Sequence, residues 1–180
     1  MNKAIFIDRD GVVNESIVID GKPHAPLNFS DFKILSGVEE ALNNFKKQGF
    51  LTFIITNQPN VKLKNRTLNI VELELMHNYL LENFYVTKIY VCSHIKQDNC
   101  RCRKPKIGNL LLASKEFNID LNKSFFVGDR WQDVECAHNA NLKTCFFIDY
   151  KYNEKRPVNK YYQVSSLLEV SKILGRKNFD

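Results

Sequence analysis

The chain has 180 residues, 44% of them hydrophobic and 26% charged, which is enough apolar material for one packed domain and too much for a disordered polymer. No apolar run approaches the length of a membrane span, and the four-residue run before Asp8 is too short for a signal peptide, so a soluble cytoplasmic protein with residues 1–180 in one domain is expected. The net charge of +6 invites an anionic partner, but seven Lys/Arg against three Asp/Glu from Lys151 onward place most of the excess in a solvated tail, which argues against a nucleic-acid surface.

Ala4–Ile7 reads as a short buried strand that opens into Asp8-Arg9-Asp10-Gly11-Val12-Val13-Asn14. Side chains two apart on an extended backbone face the same side, so Asp8 and Asp10 can address one atom, and Gly11 permits a sharp turn after them. Ser36-Gly37-Val38-Glu39 has the form of a capping box, opening a helix that carries Val38, Leu42 and Phe45 on one face and stops at Gly49. Phe50–Thr56 is a second strand, ending in Thr56-Asn57-Gln58. Thr67–Phe84 has an amphipathic helical pattern, and Lys88–Cys92 is a third strand that runs into a cysteine-rich loop ending at Arg103-Lys104-Pro105. Ile107–Phe117 is helical, and Ser124–Val127 is a fourth strand followed by Gly128-Asp129 and Asp133. Trp131–Asn139 is a short helix, Lys143–Ile148 a fifth strand and Ser165–Leu174 a last helix. This alternation predicts an α/β fold, a three-layer Rossmann-like sandwich around a mostly parallel sheet, with no repeat, linker or room for a cap module. Ligands of such sheets gather outside the carboxyl ends of the strands, and each of the first four strands ends in polar groups.

Those four ends supply what attack on a phosphate ester requires. An Asp can act as nucleophile and form an aspartyl-phosphate, and a second carboxylate can move the leaving-group proton. A carboxylate facing phosphate needs intervening cations, and Mg²⁺ is held by one or two carboxylates. Asp129 and Asp133 can complete such a site with Asp8, Lys104 can neutralise remaining charge, and Thr56 offers a hydroxyl and neighbouring N–H groups. Each piece has an ordinary alternative: a local turn at Thr56-Asn57-Gln58, a helix cap at Asp129, a surface approach to a helix at Lys104-Pro105. Their joint occurrence at successive strand ends favours the chemical reading.

In this order Asp8-Arg9-Asp10-Gly11, Thr56, Lys104, and Gly128-Asp129 with Asp133 resemble the haloacid-dehalogenase superfamily of phosphohydrolases, over almost the whole chain to about Asp149. The resemblance implies Asp8 as nucleophile and Asp10 as general acid and later base. It implies Mg²⁺ on the Asp8 carboxylate, the Asp10 carbonyl and Asp129, with Asp133 in support and Thr56 and Lys104 on the transferring phosphate.

Cys92, His94, Cys100 and Cys102 put three thiols and an imidazole in one loop, a set that suits a closed tetrahedral Zn²⁺ of structural role, with His94 as an ordinary loop histidine the alternative. Cys136 and Cys145 lie in apolar elements and read as core residues. The cysteine loop before Arg103-Lys104-Pro105, the opening Asp-Arg-Asp-Gly-Val-Val-Asn and Thr-Asn-Gln resemble the branch of the superfamily that contains heptose 1,7-bisphosphate 7-phosphatases and histidinol-phosphate phosphatases. That likeness implies a capless enzyme acting on a small sugar phosphate, the 7-phosphate of a heptose bisphosphate or else histidinol phosphate; a monomer is expected. Substrate contacts are then expected from Asn14, Glu15, Asn57, Gln58 and Arg103. In this chain Pro59-Asn60-Val61-Lys62-Leu63-Lys64 replaces the glycine-containing turn usual after Thr-Asn-Gln, so the substrate loop is expected to take another path. A nucleic-acid binder, a DNA-end 3′-phosphatase and a catalytically dead scaffold are the competing classes. The first two lack an interleaved basic and aromatic motif here, and retention of the acidic residues with Thr56 and Lys104 speaks against the third.

Overall fold

A computed structural model describes residues 1–61 and 68–176. Six parallel strands form its main sheet: β1 (Lys3–Ile7), β4 (Phe50–Asn57), β5 (Lys88–Cys92), β6 (Phe125–Gly128), β7 (Thr144–Ile148) and β8 (Tyr162–Val164), in the spatial order β5-β4-β1-β6-β7-β8. β1 sits in the middle, paired with β4 from Lys3 opposite Phe50 to Ile7 opposite Ile54, and with β6 from Ile5 opposite Phe125 to Ile7 opposite Val127. The strand order reverses on either side of β1, and such a switch point opens a crevice at the carboxyl ends.

The near-continuous apolar runs of the central strands follow from burial on both faces. Ile5, Ile7, Ile54, Val127 and Phe146 face a layer made by α1 (Val38–Lys47), α2 (Ile70–Asn83) and α5 (Leu167–Leu174). Ala4, Phe6, Phe53, Ile55, Phe126 and Phe147 face α3 (Gly108–Phe117) and α4 (Trp131–Asn139). Alternate residues of one strand thus serve two cores, and the result is the expected three-layer α/β sandwich. Cys136 and Cys145 are buried in the second core.

Several boundaries differ from the sequence expectation. The capping box at Ser36 is not formed. Gly37, in a left-handed conformation, takes the cap position, which makes Glu39 the second helical residue rather than the third and too close to reach back. The expected helix start at Thr67, and Lys62 to Lys64 of the substrate loop, lie outside the described residues; α2 begins at Ile70, capped by the Asn69 side chain, which accepts from the Val71 amide at 2.9 Å. Pro59–Val61 form one 3₁₀ turn. Between β1 and α1 the chain adds an antiparallel hairpin, β2 (Ile17–Ile19) and β3 (Lys22–His24). Its turn residues Asp20 and Gly21 both have positive φ, the backbone that a two-residue turn between twisted strands requires. No helix is long and apolar enough to cross a membrane among the described residues.

Candidate active site

The ends of β1, β4 and β6 meet in a cleft of about 290 Å³, lined by Asp8, Asp10, Asn57, Arg103 and Lys104, with Lys22 and His24 of the hairpin on the rim. Asp8 joins the cleft to a buried cluster beneath it, its floor, in which carboxylate oxygens of Asp8, Asp129 and Asp133 all lie within 4.8 Å of one another. Lys104 stands among them, its Nζ 2.8 Å from Asp8 Oδ1 and 2.7 Å from Asp133 Oδ1. Burial disfavours the Lys104 ammonium, but Asp133 and Asp8 outweigh it, so its pKa is raised and the charge is held. Three carboxylates against one ammonium leave an excess of negative charge in a water-poor place. Burial raises the pKa of Asp8, with Lys104 working against the rise and Asp133 adding to it, and burial with the Asp8 and Asp133 charges raises that of Asp129 well above the carboxylate range.

The three carboxylates are not equivalent. Asp133 is fully engaged, through Lys104 and through Oδ2, which accepts from the Arg130 amide at 3.0 Å where α4 begins. Asp8 Oδ1 accepts from the Arg9 amide at 2.7 Å. Asp129, 1% exposed, has neither an ammonium nor a backbone amide on its oxygens and only the Tyr152 hydroxyl against it, without good alignment. A buried carboxylate in that state has a large energetic deficit, and a divalent cation shared with Asp8 would remove it. Glycines make the close approach feasible. A Cβ on Gly11, whose φ is +89°, would overlap the Asp129 carboxylate, and one on Gly128 would overlap Asp133.

Asp10 is held by donors from three directions. Arg9 reaches it with Nε at 3.2 Å and Nη2 at 3.0 Å from Oδ1, Asn14 Nδ2 lies 3.0 Å from Oδ1, and Gln58 Nε2 lies 2.7 Å from Oδ2. Gln58 also donates to Thr56 Oγ1 at 2.8 Å, so it ties two of the expected reactive groups together. Asn14 and Gln58, expected to face substrate, are fully buried and donate to Asp10; Gln58 also lines the cleft, and Asn14 does not. Asn57 clamps the Lys104 backbone, its Oδ1 accepting from the Lys104 amide at 3.1 Å and its Nδ2 donating to the Lys104 carbonyl at 3.3 Å. Glu15 is not brought to the cleft. Its amide bonds the Lys33 carbonyl, and its exposed side chain lines a neighbouring depression with Tyr150 and Tyr152.

Cys92, His94, Cys100 and Cys102 converge beside the cleft. The Cys92–Cys100 and Cys100–Cys102 sulfurs are 3.7 and 3.6 Å apart, and His94 Nδ1 is 3.6 Å from Cys92 Sγ and 3.3 Å from Cys102 Sγ. Zn–S and Zn–N bond lengths set tetrahedral edges of roughly 3.8 Å between sulfurs and roughly 3.5 Å from sulfur to nitrogen, so the spacing fits that ion and is far too long for a disulfide. Arg103 Nη1 donates to the His94 carbonyl at 3.1 Å, which couples this cluster to the cleft wall.

Some site residues were not singled out in the sequence. Arg9 is 0% exposed, and its Nη1 lies 3.1 Å from Nε2 of His77 on α2. Since a guanidinium only donates, Nε2 is the acceptor and the ring proton sits on Nδ1. Burial, then the Arg9 charge, lowers the His77 pKa to about 3, so the ring is neutral. Tyr152 lies against Asp129 and Ser16, and the Tyr150 hydroxyl donates to the Gly11 carbonyl at 3.1 Å, so the segment after β7 also braces the floor. The Asp20-Gly21 pair after the apolar run Ile17-Val18-Ile19 was the available signal for the hairpin; none marked His77.

The model of the haloacid dehalogenase-like hydrolase family matches residues 22–147. The chain is 31% identical to a D-glycero-alpha-D-manno-heptose-1,7-bisphosphate 7-phosphatase of Campylobacter jejuni, over 98% of each chain. It is 35% identical to a D-glycero-beta-D-manno-heptose-1,7-bisphosphate 7-phosphatase of Haemophilus influenzae, again over 98% of each. Among solved structures it is similar to a D,D-heptose 1,7-bisphosphate phosphatase of B. bronchiseptica complexed with magnesium and phosphate, with a TM-score of 0.76 and 25% identity over 96% of this chain and 97% of that one. With the family match spanning most of the chain and relatives aligned from end to end, this protein belongs to the haloacid dehalogenase-like hydrolases.

Proposed function

We propose that the chain is a cytoplasmic, monomeric phosphatase that removes the 7-phosphate of a D-glycero-D-manno-heptose 1,7-bisphosphate in the formation of nucleotide-activated heptose. The observation that carries this reading is the convergence of Asp8, Asp129 and Lys104 at one floor, with Asp10 at the same cleft. Asp8 attacks phosphorus, forming the aspartyl-phosphate bond as the ester P–O bond breaks, and Asp10 gives the leaving oxygen its proton. Asp10 then takes a proton from water as that water attacks the aspartyl-phosphate, which frees inorganic phosphate and restores Asp8. Mg²⁺ held by the Asp8 and Asp129 carboxylates and the Asp10 carbonyl would neutralise the floor and shield the phosphate from it. Lys104 and the Thr56 hydroxyl bind the transferring group, and Asp133 keeps Lys104 charged and in place.

Without a cap, the rest of the substrate meets the rim. Arg103 and Lys22 put two cations there, which suits a substrate with a second phosphate. The relatives' names support the bisphosphate over histidinol phosphate, and they divide between the alpha and beta anomers. Phosphate release from both heptose anomers and from histidinol phosphate, measured side by side with Mg²⁺, tests the assignment. The heptose bisphosphate is expected to have a kcat/KM at least about tenfold higher, the discrimination worth roughly one added charge-assisted contact. Equal or faster turnover of histidinol phosphate contradicts it.

We further propose that Zn²⁺ occupies the Cys92, His94, Cys100 and Cys102 set and orders the loop that carries Arg103 and Lys104. Stripping it with a strong chelator is expected to lower Tm by more than about 5 °C and activity by about tenfold or more, both restored by Zn²⁺ and not by Mg²⁺. Unchanged Tm and activity in protein shown by metal analysis to hold no zinc would remove this role.

A further inference from the structure

The fully buried Arg9 is an expensive feature for a fold to keep. A guanidinium out of water is offset only by well-made partners, and an apolar residue of similar volume is often at least as stable. Its partners are specific. One edge of the fork, Nε and Nη2, grips the Asp10 carboxylate at 3.0–3.2 Å, and Nη1 on the far side donates to His77 Nε2 at 3.1 Å. The guanidinium also lies 5.5 Å from the Phe32 ring, which closes a third side. His77 is carried by α2, seated on the core by Leu73, Met76 and Leu80. Arg9 therefore cannot rotate away from Asp10 without breaking its bond to a ring fixed on a helix.

We propose that His77, acting through Arg9, is a positioning residue for Asp10: it sets the place of the carboxyl that donates a proton to the departing oxygen and later accepts one from water. The inference rests on the hydrolase reading above and deepens it. Neutral His77 is suited to the task because a protonated ring would have no lone pair for Arg9 and would repel it. Loss of the acceptor leaves a buried guanidinium donor without a partner and lets the fork turn, and a displacement of about 1 Å at a reacting group costs on the order of 100-fold.

The test compares an alkyl ester, whose leaving oxygen needs the Asp10 proton, with 4-nitrophenyl phosphate, whose leaving group departs without one. With His77→Leu, kcat on the heptose bisphosphate is expected to fall by about 30- to 100-fold with KM within about threefold. On 4-nitrophenyl phosphate the same variant should release its first equivalent of nitrophenolate at the wild-type rate, as a burst, and then slow, because attack by water still requires Asp10. His77→Gln, which offers an acceptor at a similar reach, should recover turnover to within about threefold. Arg9→Lys keeps the charge but cannot span both partners and should repeat the Leu pattern. Rates are taken per folded molecule, counted from the amplitude of the cooperative thermal transition of each preparation, so unfolded molecules do not enter them. Equal losses on both esters without a burst, in both His77→Leu and Arg9→Lys, or unchanged turnover of the bisphosphate, would overturn the inference alone. Failure of the wild-type chain to hydrolyse either ester would remove the hydrolase reading and this inference with it.

Discussion

Asp8→Asn is expected to lose turnover of the heptose bisphosphate by a factor on the order of 10⁴–10⁶, the scale seen when a covalent nucleophile is deleted, while its melting temperature without added Mg²⁺ is unchanged or higher. The two halves of this expectation come from different features of one residue. An amide oxygen is no nucleophile towards phosphorus, so the covalent route closes. The same oxygen still accepts from the Arg9 amide and Lys104, the two donors placed 2.7 and 2.8 Å from Asp8 Oδ1, so little bonding is lost. Removing one charge also relieves repulsion among Asp8, Asp129 and Asp133, whose oxygens crowd within 4.8 Å. Steady-state kinetics with thermal unfolding of the same preparation separates these effects. A variant that retains a substantial part of wild-type turnover would contradict the nucleophile assignment, and one that is inactive because it unfolds would contradict the account of the floor.

Asp129→Asn is expected to abolish the response to Mg²⁺ and, without the metal, to stabilise the fold. Burial, then the Asp8 and Asp133 charges, raise the Asp129 pKa well above the carboxylate range, more than the Tyr152 hydroxyl and Lys104 offset, so the ionised group destabilises the metal-free protein. Replacing it with a neutral isostere should recover roughly 1–3 kcal/mol, which for a chain of this length is a rise in Tm of about 3–9 °C. For the wild type, Mg²⁺ at about 100 times its Kd should add about 2.7 kcal/mol; for Asp129→Asn it should add nothing. Activity should fall with the metal. A variant that is less stable than the wild type in chelator, or that still gains stability from Mg²⁺, would show that Asp129 is neither the strained carboxylate nor a principal ligand. The pH dependence follows from the same cause. In the metal-free wild type the raised Asp129 pKa means that the folded state takes up protons more readily than the unfolded chain, so this group's destabilising contribution fades as the pH is lowered through the raised value.

The layers were legible because strand and helix periods leave different marks. Ile5 and Ile7 against Ala4 and Phe6 already imply a strand covered on both faces, and the helices between strands imply parallel pairing. The candidate site at the strand ends was legible for a related reason: Asp8, Asp10, Thr56 and Asp129 break apolar runs at the positions where a parallel sheet opens its crevice. What escaped was of two kinds. The β2–β3 hairpin carried a local signal, Asp20-Gly21 between Val18-Ile19 and Lys22, but its strands are three residues each and were overshadowed by the acidic motif before them. The Arg9–His77 contact carried none, because residues 68 positions apart meet only through the packing of α2, and a histidine on an amphipathic helix looks like any other half-buried ring. Asn14 and Gln58 show the same limit. Their residue types and places beside the motif suggest contact with substrate, while only the folded chain shows that their amides also point at Asp10, Gln58 from the cleft wall and Asn14 from behind it. The capping box failed over one residue, since Gly37 moved the helix start so that Glu39 no longer faces the cap.

The proposed mechanism depends on Asp8 as the group that receives the phosphoryl. Wild-type protein mixed with heptose bisphosphate labelled in its 7-phosphate, quenched in acid within milliseconds and digested for peptide mapping, should carry the label on Asp8, in Mg²⁺ and not in chelator. Turnover with no label on the chain, or label on any other residue, would contradict it.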